Sequence, residues 1–550
     1  MDLSSLMVSS SGASSLIAAY CRLLKIPEMI DQNVSWDETQ CLLTPGQRIM
    51  ALIINMLVDR KALYHVVDFY REQDCEMLFG QGIQAEHFND DALGRALDLL
   101  ASTDMNKLFS SISLSGLLSR GPIGRLHVDT TSISVQGAYE GSGSLDITRG
   151  YSKDLRHDLK QIMMGLAVTP EGLPAFGQVL DGNQNDGKWY PTVIDKLRSL
   201  MSPEKLSDVI FVADAALVNE NNLKAMAAGS GIKFISRLPE TFKLASELKA
   251  FARHGAWSTI GTFNEQREAA VYRSQSFVRT LYGQPYRFIV VHSSALGSRK
   301  ENTLSKRWET DKLELEHAIS VLAKQPFACQ ADAETAMADF IKQQKVPFGL
   351  AGTVEMEETV KHARRGRPAK DAAPVVTPKY FARLQVLEAD QSFMEQEKAD
   401  ASSFLLITNL LDDRQYSDEE ILKEYKEQGS VEKQFRFLKS PFLVGPIYLK
   451  NKSRVEALAY VFLFALLVAT HLELRVREAL KNKGELLQHP DKRKIANPTA
   501  AMLLELLASI RVVRLGEQRA IAKPVGPHVK RILELAGFDE TIYTVVSSLK

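Results

Sequence analysis

The residues best placed to do chemistry in this chain are Asp129, Asp214 and Glu432, together with the charged stretch around the last, Tyr425 to Lys439 (YKEQGSVEKQFRFLK). RLHVDTTSISVQG alternates, which sets Leu126 and Val128 on one face of a strand and His127 and Asp129 on the other. Val209 to Ala213 is a continuous apolar run ending in Asp214, the form of a strand buried on both faces. Read as one helix at about 100° per residue, Tyr425 to Lys439 puts Gln428 and Glu432 about 40° apart. Lys439 then falls about 20° from Gln428 and Tyr425 about 60° from it, while Val431, Phe435 and Leu438 fill the adjoining stripe. Three carboxylates converging from two strands and a helix can hold two divalent ions, which clamp the attacking and leaving oxygens of an in-line phosphoryl transfer. Mg²⁺ suits such a site because it takes hard oxygen ligands and keeps water in its other positions. Each element also has a plainer reading. An Asp after a strand commonly caps the next helix, a charged helix commonly faces water, and His127 is expected to pack or hydrogen-bond beside the sheet.

The elements that must position these groups divide the chain. Its 550 residues make two to four domains the natural expectation. Hydrophobic residues at 45% and charged residues at 24% exclude wholesale disorder. Lys+Arg and Asp+Glu both number 67, so any nucleic-acid surface has to be local. Cys21, Cys41, Cys75 and Cys329 have no CxxC spacing and the histidines do not cluster, which argues against a zinc site or disulfide framework and fits a reducing cytosol. The opening MDLSSLMVSSSG lacks the basic and apolar regions of a signal peptide. The longest apolar run, Ala457 to Thr470, is short for a membrane span and reads as a buried core helix, so no membrane partner is expected.

Residues 1–118 read as helical, with starts at Thr44-Pro45 and at Asn89 or Asp90, and suit either binding of DNA ends or packing. Residues 119–240 read as an α/β unit with a hairpin turning at Glu171-Gly172, a helix near Tyr190 to Leu200 and a strand at KFISRL. Residues 241–400 read as a β-rich insertion with a basic, Pro-rich linker. In that linker Arg364, Arg365 and Arg367 either follow an A·T-rich minor groove or form a flexible basic connector. FLLITNL at 404–410 returns the chain to its core, which runs to 474, and 475–550 read as helical.

HVDTTSISVQG, VADAALVNENNL and YKEQGSVEKQFRFLK resemble the three acidic blocks of bacterial insertion-sequence DDE transposases. The last is similar to their Tyr-Arg-Glu-Lys signature: Tyr425, Glu432 and Lys439 keep the spacing, with Gln428 where Arg is usual. GYSKDLRHDLKQ and DGNQNDG resemble the family's connecting segments, and the amino-terminal region resembles the branch known as insertion-sequence family 1634, within the family 4 superfamily. The resemblance implies an α/β fold: an RNase H-like catalytic core interrupted by an inserted β-rich domain, with helical N- and C-terminal regions. It also implies Asp129, Asp214 and Glu432 as ligands of two Mg²⁺ ions, for which Mn²⁺ can substitute. Tyr425 and Lys439 would hold DNA phosphates. The implied partners are double-stranded DNA, as the inverted-repeat ends of the element and target DNA, and a second copy of the chain when ends are paired.

Gln428 brings neither the charge nor the fork of Arg. Either a neighbour, Lys433 or Arg436, supplies the charge, or this member binds and cleaves less well. Two other functions stay open from sequence: a transposase-derived DNA-binding regulator without catalysis, and an RNase H-like nuclease that cuts but does not join.

Overall fold

The computed structural model describes residues 6–140, 143, 145–202, 206–227, 232–263, 269–344, 346–361, 375–439 and 449–546. Arg364, Arg365 and Arg367 lie outside the described residues.

The chain begins with strand β1 (Leu6–Ser9) and a set of helices, among them α1 (Pro45–Val58) and α2 (Asp90–Ala101). α1 starts where the sequence places it. The Thr44 hydroxyl accepts from Gln47 N at 3.0 Å, Gln47 Oε1 accepts from Thr44 N at 3.0 Å, and Pro45 occupies the first turn, where its missing N–H costs nothing. α2 is capped by Asn89, whose side chain accepts from Ala92 N at 2.9 Å. Strands β2 (Arg125–Val135), β3 (Lys160–Val168) and β4 (Pro174–Leu180) follow. The β3–β4 turn carries Gly172 at φ +93°, a conformation that glycine adopts without strain. After helix α3 (Asp186–Leu200) come β5 (Ile210–Ala213), β6 (Lys233–Arg237), β7 (Ser258–Gly261), β8 (Tyr272–Leu281), β9 (Gln284–Ser293), the long hairpin β10 (Phe348–Lys361) and β11 (Val375–Ala389), and β12 (Ser403–Thr408).

Nine strands make one mixed sheet in the order β4-β3-β2-β5-β6-β12-β9-β8-β7. β2, β3 and β4 are antiparallel neighbours, β5 runs parallel to β2, and β6 runs parallel to β5. β12 then pairs antiparallel with β6 on one side and β9 on the other. Residues 241–400 hold the five strands β7–β11 together with helices at Lys243–Arg253, Ser294–Leu322, Gln330–Gln343 and Gln391–Ala401, a mixed rather than β-rich segment, and β7, β8 and β9 extend the sheet of the core. They join it through β9, whose partner β12 comes more than a hundred positions later in the chain, out of reach of local patterning.

The chain closes with α4 (Asp418–Lys426), α5 (Gly429–Leu438), α6 (Lys452–Lys483), strands β13 (Val512–Leu515) and β14 (Gln518–Ile521), and short helices between and after them. α6 is long and apolar enough to cross a membrane by length and composition, yet 89% of its most apolar window is buried inside the protein. It is the axis of the largest core, packed by α1, α2, the last helices and one face of β2, β3 and β4.

The expectation of a purely helical carboxy-terminal region needs correcting. β1 pairs antiparallel with β13, which pairs with β14. The two ends of the chain are locked by Tyr20 Oη donating to Ala536 O and Tyr543 Oη donating to Gly12 O, both at 3.0 Å. Arg519 Nε also lies 2.6 Å from Asp74 Oδ2, with both side chains 4% exposed. The amino- and carboxy-terminal regions form one body around α6.

Candidate active site

The site is built at the edge where β2 and β5 lie side by side. Their parallel register pairs Val128 with Ala213, so Asp129 and Asp214 are the next residue on each strand and emerge together. Asp214 leaves the strand as an N-cap, its Oδ1 accepting from Ala216 N at 3.0 Å. The same oxygen accepts from the buried Tyr190 hydroxyl at 2.6 Å. Asp214 thus caps the short helical turn that follows its strand, as the capping reading expects.

A third carboxylate joins them. Asp186 is the first residue of α3, behind the Asn185 cap, and with Asp129 and Asp214 it forms a set whose ligand oxygens lie within 4.8 Å of one another. α3 is seated by Trp189, 1% exposed, against Gly165 of β3. A Cβ at Gly165 would lie 2.2 Å from the indole, so only glycine lets the helix approach this closely. The Trp189 indole N–H donates to Gln178 Oε1 at 3.0 Å, and Thr130 Oγ1 donates to Asp186 Oδ1, fixing the helix end over the strand. DGNQNDG is thus more than a connecting segment: its Asn-Asp-Gly ending starts the helix that brings Asp186 to the acids.

The electrostatics follow from burial first and from crowding second. Burial is the main cause that pushes the Asp129 carboxyl up to about 6, and Asp214 and Asp186 add to it while Lys153 opposes it. Lys153 Nζ donates to Thr130 O at 2.6 Å and stands 3.4 Å from Asp129 Oδ1 and 3.5 Å from Asp186 Oδ2. Burial alone would lower the Lys153 ammonium, but the three carboxylates outweigh it and raise it. Burial, and after it Asp214, holds the Tyr190 phenol well above its ordinary value, so Tyr190 stays a neutral donor.

The other wall of the site is α5. Glu432, Phe435, Arg436 and Lys439 line a cleft of about 600 Å³ facing Asp129, Thr130, Thr131 and Lys153. Their i, i+3, i+4, i+7 spacing is one helix face, while Val431, Phe435 and Leu438 bury behind it as the sequence predicts. Glu432 is exposed and shares this cleft with Asp129, outside the tight carboxylate set. Lys433 is exposed and does not line the cleft. Lys439 Nζ meets Asp154 Oδ1 at 2.7 Å, tying α5 to the 151–159 loop that also carries Lys153. Arg156 and Asp158, by contrast, pair with each other in the open.

The single helix expected over Tyr425 to Lys439 is broken. α4 ends at Lys426, Glu427 and Gln428 form a turn, and α5 begins at Gly429. The bonds across the joint span three residues: Gln428 N to Tyr425 O, Ser430 N to Glu427 O and Val431 N to Gln428 O. Gly429 costs a continuing helix about 1 kcal/mol relative to alanine, and the angular reckoning does not carry over the turn. Tyr425 consequently sits on the last turn of α4, packed against Phe404 with centroids 6.3 Å apart. Burial raises its phenol, Arg237 opposes this, and Asp214, Glu432 and Asp129 raise it further, which places the ring within the field of the acids. Gln428 is half-buried at the turn itself.

His127 is fully buried one alternation before Asp129 on the same strand face.

Three clustered carboxylates, one of them pushed up chiefly by burial and further by its neighbours, are a donor set that fits a hard divalent cation. A search of curated proteins finds no match to this chain. Residues 8–114 match the family model of a domain of unknown function (DUF4277). Residues 121–468, well over half the chain and all of the site, match the model of the transposase DDE domain. That family uses divalent metal ions and acts on DNA, and the chain belongs to it: it is a DDE-type transposase.

Proposed function

We propose that this protein is the transposase of a bacterial insertion sequence of the 1634 type, which binds the inverted-repeat ends of its element, cuts them and joins them to target DNA in the cytoplasm. The observation that carries the reading is the convergence of Asp129 and Asp214 from adjoining parallel strands on a cleft whose far wall presents Glu432, Arg436 and Lys439. Three antiparallel strands followed by two parallel ones, in the order β4-β3-β2-β5-β6, support an RNase H-like core. The β7–β11 segment between β6 and β12 is then the insertion.

Asp129, Asp214 and Glu432 would hold the Mg²⁺ ions, with Asp186 beside the first two. Bound there, the ions stabilise the attacking and leaving oxygens of the phosphodiester. The chain's own residues do the rest. Tyr190 holds Asp214 by its 2.6 Å hydrogen bond and keeps one oxygen oriented. Lys153 offsets the mutual repulsion of Asp129 and Asp186 until the site is filled. Arg436 supplies from the cleft wall the guanidinium that Gln428 lacks, and it presents a planar fork to a phosphate where Lys439 presents a point charge. Tyr425 donates from a neutral phenol. Two copies of the chain would pair the element's two ends.

Labelled element ends with and without Mg²⁺ test this reading. Asp129→Asn, Asp214→Asn and Glu432→Gln should each abolish cleavage and leave end binding largely intact. Nicking at the wild-type rate by any of the three sinks the assignment.

A further inference from the structure

Deeper in the sheet than Asp129, His127 has no solvent exposure and neither of its ring nitrogens has a hydrogen bond. α4 lies over that face and brings Glu424, 5% exposed, against the imidazole. Glu424 Oε1 stands 3.3 Å from His127 Nε2, without the alignment of a hydrogen bond, and has no other partner among the described residues. Glu427, three residues on and exposed, completes a set in which one ligand atom from each residue lies within 4.8 Å of the other two. A buried polar atom left unpaired is costly, because it gives up its water without gaining a partner. Several on one spot, facing each other, mark a place built around something that binds them.

One imidazole nitrogen and two carboxylate oxygens are the ligand types of a borderline divalent ion such as Zn²⁺, whereas Mg²⁺ prefers oxygen alone. Arg125 Nε lies 2.6 Å from Glu424 Oε2. That contact fixes one carboxylate oxygen and leaves Oε1 directed at the imidazole, the arrangement outer partners give to metal-bound carboxylates. Two carboxylates against one guanidinium leave a net negative charge for the cation to neutralise. The exposed Glu427 gives an entry path and a water-accessible fourth position.

We propose that His127, Glu424 and Glu427 form a second metal site, separate from the acid cluster, that takes a Zn²⁺-class ion. Such an ion pins α4, which carries Tyr425, to β2, which carries Asp129. The inference stands on these three residues and does not depend on the reaction assigned to the acid cluster.

The test uses the full-length protein in three variants, titrated with Zn²⁺ by calorimetry and with Co²⁺ by visible absorption. Asp214→Asn, which disables the acid cluster, should still bind one equivalent of Co²⁺ with the d–d bands of a nitrogen-containing site, and excess Mg²⁺ should not displace it. His127→Gln and Glu427→Gln should each weaken that equivalent by at least about 10–100-fold, the loss that even outer-sphere partners cause. Glu427 is exposed, so Glu427→Gln decides the matter if His127→Gln fails to fold by circular dichroism. Unchanged Zn²⁺ affinity and stoichiometry in Glu427→Gln, or no Co²⁺ bound by Asp214→Asn, overturns the proposal.

Discussion

On the proposed function, Asp154 competes with a DNA phosphate for Lys439. Its carboxylate holds the Lys439 ammonium at 2.7 Å, with the two side chains 41% and 22% exposed. A phosphate that takes Lys439 must first break this pair. Exposed pairs of this kind contribute about 0.2–1 kcal/mol, and the exposure of Asp154 keeps the figure in that range. Asp154→Asn removes the competitor, and the upper half of that range corresponds to about a 3–5-fold gain in affinity for an element end. Lys439→Met should weaken binding and reduce the slope of log K against log[salt] by about 0.9, one phosphate contact. The decisive quantity is the coupling: in a Lys439→Met background, Asp154→Asn should do nothing. Fluorescence anisotropy with labelled ends at several salt concentrations measures all four corners of the cycle. An equal gain from Asp154→Asn with and without Lys439 would show that Asp154 acts through general charge, and the reasoning would fail.

Other perturbations test the electrostatics and the frame. The Asp129 carboxyl titrates near 6 in the folded protein against about 4 unfolded, so the folded state keeps its proton longer and stability falls as pH rises between those values, by up to about 3 kcal/mol. Asp129→Asn should therefore raise the Tm at pH 7.5 in chelator and lose that advantage near pH 4; no gain at pH 7.5 would contradict the crowding argument. Buried His471, lowered to about 4 chiefly by burial and then by Arg120, is neutral in the fold. Its contribution is fully present above about pH 6.5 and is lost as pH falls toward 4, at about 3 kcal/mol overall. His471→Leu should flatten the acid limb of a Tm-against-pH curve, and an unchanged limb refutes this. Arg519→Met strands Asp74 in a buried site and should cost about 3–5 kcal/mol by urea unfolding; a cost below 1 kcal/mol would mean the chain ends are not locked there.

The parts of the site that were legible in the sequence are those encoded locally. Alternation around Asp129 and the apolar run before Asp214 mark two strands, and β2 and β5 bear out both. The Thr44 cap and the Glu171-Gly172 turn are likewise chemistry of adjacent residues. What escaped depends on distant partners. Asp186 belongs to a helix whose seat is Gly165 on another strand, and Lys153 reaches the acids from an irregular loop with no periodicity to read. β1 finds its partner some five hundred positions away. The break at Glu427-Gln428 was local, and Gly429 was its signal, but the regular amphipathic spacing on both sides concealed it.

Strand joining separates a cleft between β2 and α5 that cuts and joins DNA from one that only cuts. A labelled, pre-cut element end with a free 3′-hydroxyl is incubated with Mg²⁺ and a target plasmid. Wild-type protein should transfer the label covalently to the plasmid, and Asp129→Asn should transfer none. Wild-type protein that cuts uncut ends yet never joins pre-cut ones, or joining that survives Asp129→Asn, would contradict the account.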